Sequence, residues 1–223
     1  MNNLAKQLTD YNWEQYGLQR DISLDDYESL VVLMDMIKHP DMKILEIGTR
    51  QGSSSALFAS YIKEYGGKFY TCDNYTISGM GLNNPTPYIK LIFEKHIQNL
   101  ELINYIDFIY KSSLETSKMF EDNIFDFKFI DGCHVYSYIK QDVELWYPKV
   151  KDGGILCGHD CEFIPENDFV VETLKHNYGV NDLTWDKSDM LLFHCGVIIA
   201  VYEHFKQEAK IVGNRIWWVK KNG

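Results

Sequence analysis

The feature of this sequence that most restricts its fold is a regular alternation of short apolar runs with helix-forming segments. Five runs are predicted as strands, and they read "MKILEIG", "KFYTCD", "IDFIYK", "FDFKFID" and "GGILCGHD". Helical patterns lie between successive runs. Strands separated by helices need crossover connections, which give a parallel arrangement. We therefore predict an α/β fold with a mostly parallel sheet and helices on both of its faces.

Three further segments are predicted to complete this fold. The tail "AKIVGNRIWWVKK" has Gly213 and Asn214 between two strand patterns, which is typical of an antiparallel hairpin. The segment "SLDDYESLVVLMDMIKH" begins with a capping-box pattern at Ser23 and Asp26 and continues as an amphipathic helix. The segment "GVIIAVYEHFKQE" could be a strand or a helix, and its apolar spacing favours a helix.

The chain shows no convincing domain boundary, so we predict one domain over residues 1–223. Within that domain, residues 1–40 are interpreted as an N-terminal helical cap. Residues 161–193 match no pattern of the core fold and are interpreted as an insertion or lid. Together with the polar loop 74–86, this segment is expected to form the wall of a ligand site, because such loops vary freely.

Composition excludes several classes of function. The 22 basic and 32 acidic residues give a formal net charge of −10, which argues against a nucleic-acid partner. No apolar run approaches the roughly 20 residues that span a bilayer, so no membrane partner is expected. The first residues lack an apolar signal core, and we expect a cytoplasmic protein in which the five cysteines are thiols.

The first predicted strand ends in "LEIGTRQGSSS", where Glu46, Gly48 and Gly52 are spaced as E-x-G-x-x-x-G. Glycines after a strand let a ligand approach the backbone. The spacing is not that of a dinucleotide site, and the lysine of a triphosphate loop is missing. A carboxylate here would repel phosphate and attract an ammonium group, which suits a zwitterionic cofactor portion. An ordinary strand–turn–helix junction is the alternative.

The other strands also end in acidic or small polar residues. Asp73 follows the second strand, where a carboxylate typically accepts ribose hydroxyls. Ser112 and Ser113 follow the third strand, and at least one of them is expected to cap a helix. Asp131 follows the fourth. Because parallel strands place their carboxyl ends on one edge, these residues predict a ligand site there.

These motifs resemble a known family. The stretches "ILEIGTRQGSSS", "CDNY" and "FDFKFIDGCHVYSYIKQDVELWYPKVKDGGILCGHD" are similar to class I S-adenosylmethionine-dependent methyltransferases. The greatest similarity is to the small-molecule O-methyltransferases of the macrocin O-methyltransferase and cephalosporin-hydroxylase-like group. The resemblance covers residues 40–160 well and the tail more loosely. It implies a Rossmann-like methyltransferase fold with a seven-stranded sheet.

The resemblance implies a role for each matching residue. Those implied to bind S-adenosylmethionine are Glu46, Gly48, Thr49, Gly52 and Ser54 at its methionine part, Asp73 at its ribose and Ser113 at its adenine. Related metal-dependent enzymes bind a divalent cation at positions that correspond here to Asp131, His159 and Asp160. His159 departs from the usual carboxylate or amide, and the set would suit Mg²⁺ or Mn²⁺ as a softer site.

The residues that follow the fourth predicted strand carry the implied chemistry. His134 stands three residues after Asp131 and matches the general base of the macrolide sugar methyltransferases. An imidazole beside the reacting oxygen can accept a hydroxyl proton near neutral pH, and Asp131 would hold the metal or the cofactor. The implied reaction is methylation of a small-molecule hydroxyl, on a sugar or natural product. For His134, a solvated histidine at a helix start is the alternative.

Two other functions stay open at this point. Cys133, His134, Cys157, His159 and Cys161 lie near two strand ends, and a structural zinc site could be drawn from them. Buried cysteines that act as small apolar residues are the more economical interpretation. A binding or regulatory protein that kept the fold without catalysis is the other option. The resemblance also leaves a homo-oligomer open.

Overall fold

The computed structural model describes residues 3–10, 22–75, 86–180, 183–186 and 191–222. Its central sheet has seven strands: β1 (Lys43–Ile47), β2 (Lys68–Cys72), β3 (Asp107–Ile109), β4 (Phe125–Ile130), β5 (Val150–Gly158), β8 (Lys210–Val212) and β9 (Ile216–Lys220). Their order across the sheet is β3-β2-β1-β4-β5-β9-β8. Strands β1 to β5 pair in parallel, and β9 is antiparallel to β5 and β8. The predicted mostly parallel sheet with a C-terminal hairpin is confirmed.

Helices cover both faces of the sheet. They are α1 (Asn3–Asp10), α2 (Leu24–Asp35), α3 (Ser53–Tyr65), α4 (Thr86–Asn99), α5 (Ser113–Ser117), α6 (Tyr136–Trp146), α7 (Asp168–Tyr178) and α8 (Cys195–Phe205). The central strand β4 is buried at all six positions, because a parallel sheet is shielded on both sides. The helix chosen for "GVIIAVYEHFKQE" is confirmed by α8.

Two apolar layers fill the space between the sheet and its helices. On one face, Phe58 of α3 packs at 5.5–5.9 Å between ring centroids against Phe69, Phe127 and Phe129 of the sheet. On the other face, α6 and α8 form the second layer, which includes the fully buried Trp146. These layers hold the strands in a fixed register, so their ends are also fixed.

Both N-terminal helices pack on this body, α1 against α2 and α3. The predicted capping box is present, since Ser23 Oγ accepts from the Asp26 backbone N–H and Asp26 accepts from the Ser23 backbone N–H. Helix α2 also meets the turn between β8 and β9. There the backbone N–H of Asn214 donates to Asp25 Oδ2 at 2.9 Å.

The segment 161–193 has secondary structure of its own. It contains α7 and most of a separate two-stranded antiparallel sheet formed by β6 (Leu183–Asp186) and β7 (Leu191–His194). Of the predicted ligand-site loop 74–86, residues 76–85 lie outside the described part of the chain. Within the described ranges, no helix has the length and apolar character needed to cross a membrane.

Candidate active site

The ends of the central strands are aligned on one edge of the sheet. Ile47 of β1 pairs with Cys72 of β2 and with Ile130 of β4, and Ile130 pairs in turn with Gly158 of β5. The residues that come next along each strand therefore stand side by side. They are Gly48, Asp73, Asp131 and His159. The predicted meeting of strand ends at one edge is confirmed.

The loop from Gly48 to Gly52, here called the glycine loop, needs glycine at both ends. Gly48 has φ +95°, and a Cβ atom on it would overlap the backbone carbonyl of Asp131. Gly52 has φ +87°, and a Cβ atom there would lie 2.7 Å from Cδ2 of Phe93. Both glycines thus permit close packing within the protein, so a larger residue at Gly52 should harm folding as well as any binding at the loop.

A buried hydroxyl network supports the glycine loop from below. The Glu46 carboxylate accepts from the hydroxyls of Ser54 and Ser55, and from Thr71 Oγ1 at 2.6 Å. Thr71 Oγ1 also lies 2.6 Å from Thr49 Oγ1. Burial raises the pKa of Glu46 to about 7. Glu46, Thr49 and Ser54 are brought together, and their role toward a cofactor ammonium stays a prediction.

Asp73 is bound to the glycine loop through backbone groups. Its Oδ2 accepts from the Arg50 N–H at 2.9 Å, and its Oδ1 accepts from the Tyr75 N–H at 2.7 Å. Burial raises its pKa. A carboxylate can accept about four hydrogen bonds, so these contacts leave capacity for ribose hydroxyls. Asp73 therefore stands at the end of β2 with acceptor capacity to spare, and its contact with a ribose stays a prediction.

The two serines after β3 have different partners. Ser112 is the N-cap of α5, with a capping box to Glu115. The Ser113 hydroxyl donates to Asp142 and accepts from Trp146 Nε1 at 2.7 Å, and both partners belong to α6. The side chain of Ser113 is thus engaged in the protein interior, and its proposed contact with an adenine remains a prediction.

The predicted catalytic and metal residues form one cluster. His134 Nε2 lies 3.4 Å from Asp131 Oδ1 and 3.4 Å from Asp160 Oδ2. His159 Nδ1 lies 3.2 Å from Asp160 Oδ1 and 3.8 Å from Asp131 Oδ1. His194, at the end of β7, joins the same group, with Nδ1 3.7 Å from Asp160 Oδ1. We call these five side chains the imidazole cluster.

Sequence reasoning missed four members of this region. They are His194 itself and three outer residues: Asp26, Glu162 and Arg215. Asp26 Oδ2 lies 3.4 Å from His159 Nε2, and Arg215 contacts both Asp160 at 3.3 Å and Asp26 at 3.4 Å. Glu162 Oε1 lies 2.8 Å from His194 Nδ1. Most of these contacts join elements that are distant along the chain, so no local spacing pointed to them.

The electrostatics of the cluster come from imidazoles placed among carboxylates. Burial lowers the pKa of His159, but the charge of Asp131 and the contacts with Asp160 and Asp26 outweigh burial and raise it. Burial raises the pKa of Asp160, yet the neighbouring histidines, His159 above all, hold it well below its usual range. Cationic imidazole and anionic carboxylate thus stabilise each other in a nearly water-free place.

The cysteine-based zinc alternative is not supported. Cys157 and Cys161 are fully buried, and their thiols donate to the backbone carbonyls of Lys128 and Phe163. Burial raises the pKa of both thiols well above the usual value. The candidate cation-binding groups found among the described residues contain only histidines and aspartates. All five cysteines belong to that part of the chain and are free thiols.

The sheet order, the inserted antiparallel β9 and a site at the carboxyl ends of the first strands define a Rossmann-like methyltransferase fold. An O-methyltransferase from Bacillus cereus, solved with SAH, has a TM-score of 0.64 at 17% identity and covers 99% of this chain and 92% of its own. The O-methyltransferase TomG from Streptomyces achromogenes, involved in tomaymycin synthesis and solved with SAM, has a TM-score of 0.62 at 12% identity. The match covers 100% of this chain and 91% of TomG. An SAH-bound methyltransferase from Podospora anserina has a TM-score of 0.60 at 13% identity, and the match covers 100% of this chain and 89% of that protein.

Residues 45–161, more than half of the chain, match the model of a protein family described as a methyltransferase domain. The chain belongs to this family. The expected methyltransferase class is therefore confirmed, and the finer resemblance to the macrocin group stays a prediction. No curated protein sequence matches the chain.

Proposed function

We propose that this protein transfers a methyl group from S-adenosylmethionine to a hydroxyl of a small molecule, assisted by a divalent cation. The observation that carries the proposal is the direct contact between the glycine loop and the start of the imidazole cluster. Gly48 lies so close to the Asp131 carbonyl that no side chain fits between them. A cofactor on the loop and an acceptor at the cluster would therefore be neighbours.

The residues around the glycine loop suit this cofactor. Its sulfonium, when bound, supplies an electrophilic methyl group and a good leaving group. The Asp73 carboxylate can accept ribose hydroxyls, and Glu46 places a buried acid beneath the methionine end. The SAH and SAM in the similar structures from Bacillus cereus and Streptomyces achromogenes support this assignment.

His134 is proposed as the general base. Its Nε2 faces the carboxylates of Asp131 and Asp160, so an imidazolium formed by taking the acceptor's proton would be stabilised by both. The same carboxylates hold the ring in place, and alignment of the acceptor behind the methyl group supplies most of the rate. The cluster would thus supply both a base for the acceptor's proton and groups that align the acceptor.

The cation is proposed to be held by Asp131, His159 and Asp160. Potential ligand atoms of these three side chains lie within 4.8 Å of one another, which fits a single ion. A divalent ion supplies Lewis acidity that lowers the pKa of an acceptor hydroxyl. The carboxylates would also orient the acceptor toward His134.

The acceptor is proposed to be a sugar or a natural product with a free hydroxyl. Residues 161–193 are proposed as its wall, because β7 brings the end of this segment to the cluster at His194. The segment is part of a single methyltransferase domain in this proposal.

The test is binding and transfer measured separately. Calorimetry with SAH should show saturable binding, and labelled S-adenosylmethionine should transfer its methyl group to members of a hydroxyl library. Binding without any transfer would favour a regulatory protein that kept the fold. Absence of SAH binding would overturn the proposal as a whole.

A further inference from the structure

The imidazole cluster contains more nitrogen donors than a magnesium site needs. Two overlapping groups of potential ligands share Asp160: one with Asp131 and His159, the other with His134 and His194. In each group the candidate ligand atoms lie within 4.8 Å of one another. Three imidazoles and two carboxylates therefore form two adjoining groups that meet at Asp160, at the carboxyl ends of β4, β5 and β7.

His194 is held in a defined orientation by Glu162. One carboxylate oxygen, Oε2, accepts the backbone N–H of His194 at 3.0 Å, and the other, Oε1, lies 2.8 Å from Nδ1. The contact with Oε1 assigns the N–H to Nδ1, which also lies 3.7 Å from Asp160 Oδ1, and leaves the lone pair of the neutral ring on Nε2. A carboxylate behind a histidine is the usual outer support of a metal ligand.

His159 has the same kind of support from another direction. Its Nδ1 faces Asp160 at 3.2 Å, and its Nε2 lies 3.4 Å from Asp26 Oδ2. Only about 4% of the His159 side chain is exposed, and among the described residues Nε2 has no hydrogen-bond partner closer than this carboxylate. His159 and His194 thus reach the cluster from the ends of β5 and β7, and each has a carboxylate partner outside the cluster, Asp26 for His159 and Glu162 for His194.

The donor set also balances charge. Asp131 and Asp160 with two neutral imidazoles, His159 and His194, would be neutral overall around a divalent ion, which keeps the cost of burial low. His134, the proposed base, is not counted among these ligands. Mg²⁺ prefers oxygen ligands and retains several waters, whereas imidazole suits zinc, iron, cobalt and nickel. We infer that His194, aimed by Glu162, and His159, backed by Asp26, make this a site for a divalent transition ion rather than for Mg²⁺. The inference rests on the metal site of the proposed function.

Metal binding by purified protein tests the inference directly. The full chain is stripped with a chelator and titrated separately with Co²⁺ and Mg²⁺ by calorimetry, and the visible absorption of Co²⁺ reports nitrogen ligation. We expect Co²⁺ to bind at least about tenfold more tightly than Mg²⁺. Equal affinities, or no binding of Co²⁺, would overturn the inference.

Variants locate the selectivity. Glu162→Gln keeps the size of the side chain and should lower Co²⁺ affinity by roughly 10–100-fold, and His194→Ala should lower it at least as much. Mg²⁺ affinity should not change in either variant. His176→Ala, which removes an exposed imidazole from α7, is the matched control and should bind Co²⁺ like the wild type. If both cluster variants keep wild-type Co²⁺ affinity, His194 is not a ligand.

Circular dichroism checks that each variant is folded. If His194→Ala is unfolded, the Co²⁺ affinity of Glu162→Gln alone tests the inference. SAH binding to the metal-free protein separates this inference from the proposed function. Loss of Co²⁺ selectivity with intact SAH binding would refute the inference alone. Absence of SAH binding would refute the proposed function while the metal result still stands.

Discussion

Glu46 and Asp160 are both buried carboxylates at the same edge of the sheet, yet their partners come from different distances along the chain. The hydroxyls that bind Glu46 belong to residues 8, 9 and 25 positions away. Asp160 meets His134, His194 and Arg215, which come from the loop before α6, from β7 and from the β8–β9 turn. The first half of the site is thus built from β1, α3 and β2, which follow one another along the chain, whereas the second half joins segments up to 55 positions apart.

The two halves also differ in charge. The donors to Glu46 are neutral hydroxyls, so burial dominates and its pKa rises to about 7. Asp160 is surrounded by imidazoles, so its pKa falls although it is also buried. A carboxylate among hydroxyls can remain neutral in the folded protein, while one among imidazoles remains charged. The first arrangement suits structural support, and the second suits proton transfer or a cation.

The largest effect is expected from the charged half. His134→Ala should lower turnover by roughly 10²–10⁴-fold, because the acceptor proton loses its base. SAH affinity should not change, since the glycine loop is intact. Steady-state kinetics and calorimetry measure the two quantities, with His176→Ala as the control. Wild-type turnover in His134→Ala would return this histidine to a solvated helix start.

The half of the site around Glu46 should make the free energy of unfolding depend on pH. Because the pKa of Glu46 is raised in the folded state, its contribution is fully present below the ordinary value of 4.5 and is lost as pH rises through about 7. Relative to Glu46→Gln, the wild type should therefore lose up to about 3 kcal/mol of unfolding free energy over that range, because each tenfold change in proton affinity corresponds to ~1.36 kcal/mol. Denaturant unfolding at several pH values measures this difference. The control is the exposed Glu121→Gln, for which the difference in unfolding free energy from the wild type should not depend on pH. If the difference for Glu46→Gln is equally independent of pH, the prediction is wrong.

A smaller effect is expected at the ribose position. Asp73→Ala should weaken SAH binding by about 1.5–3 kcal/mol, which is the scale for a charged hydrogen-bond partner. Co²⁺ affinity should be unaffected because the proposed metal site lies in the other half. Calorimetry checks both, and the exposed Asp107→Ala is the control. Unchanged SAH affinity would remove Asp73 from the cofactor site.

The smallest effect is expected from the helix cap next to Ser113, the residue proposed to contact the adenine. Ser112→Ala removes the N-cap of α5 and should cost about 1 kcal/mol of unfolding free energy, measured by denaturant unfolding. SAH affinity and turnover should stay at the wild-type level, as in the exposed Ser137→Ala. A tenfold loss of SAH affinity would instead show that the cap contacts the cofactor.

The same contrast explains how much the sequence could reveal. Glu46, Gly48, Gly52 and Asp73 lie in short stretches whose spacing carries the signal, and the structure places them together as expected. The spacing of Asp131 and His134, and the adjacency of His159 and Asp160, likewise predicted most of the cluster. The alternation of strands and helices predicted the sheet, because crossover geometry leaves few arrangements.

The other residues of the site were not predicted, because the local sequence offered a simpler reason for each of them or no signal at all. Asp26 completes a capping box with Ser23, and that pattern alone accounted for its presence. His194 ends a segment without a recognisable period, and Arg215 stands in a hairpin turn, where charged residues are ordinary. Their positions depend on long-range packing, which no local pattern encodes.

Asp25 and Asp26 each bind a residue 189 positions further along the chain, at Asn214 and Arg215. Helix α2 can form early, but buried Asp26 has its arginine partner only after residue 215 has been synthesised. Contacts of such sequence separation slow the folding reaction, because closing a long loop costs entropy. The two aspartates therefore tie completion of the site to the C-terminal hairpin, and a chain shortened before the β8–β9 turn would leave a buried carboxylate without its arginine.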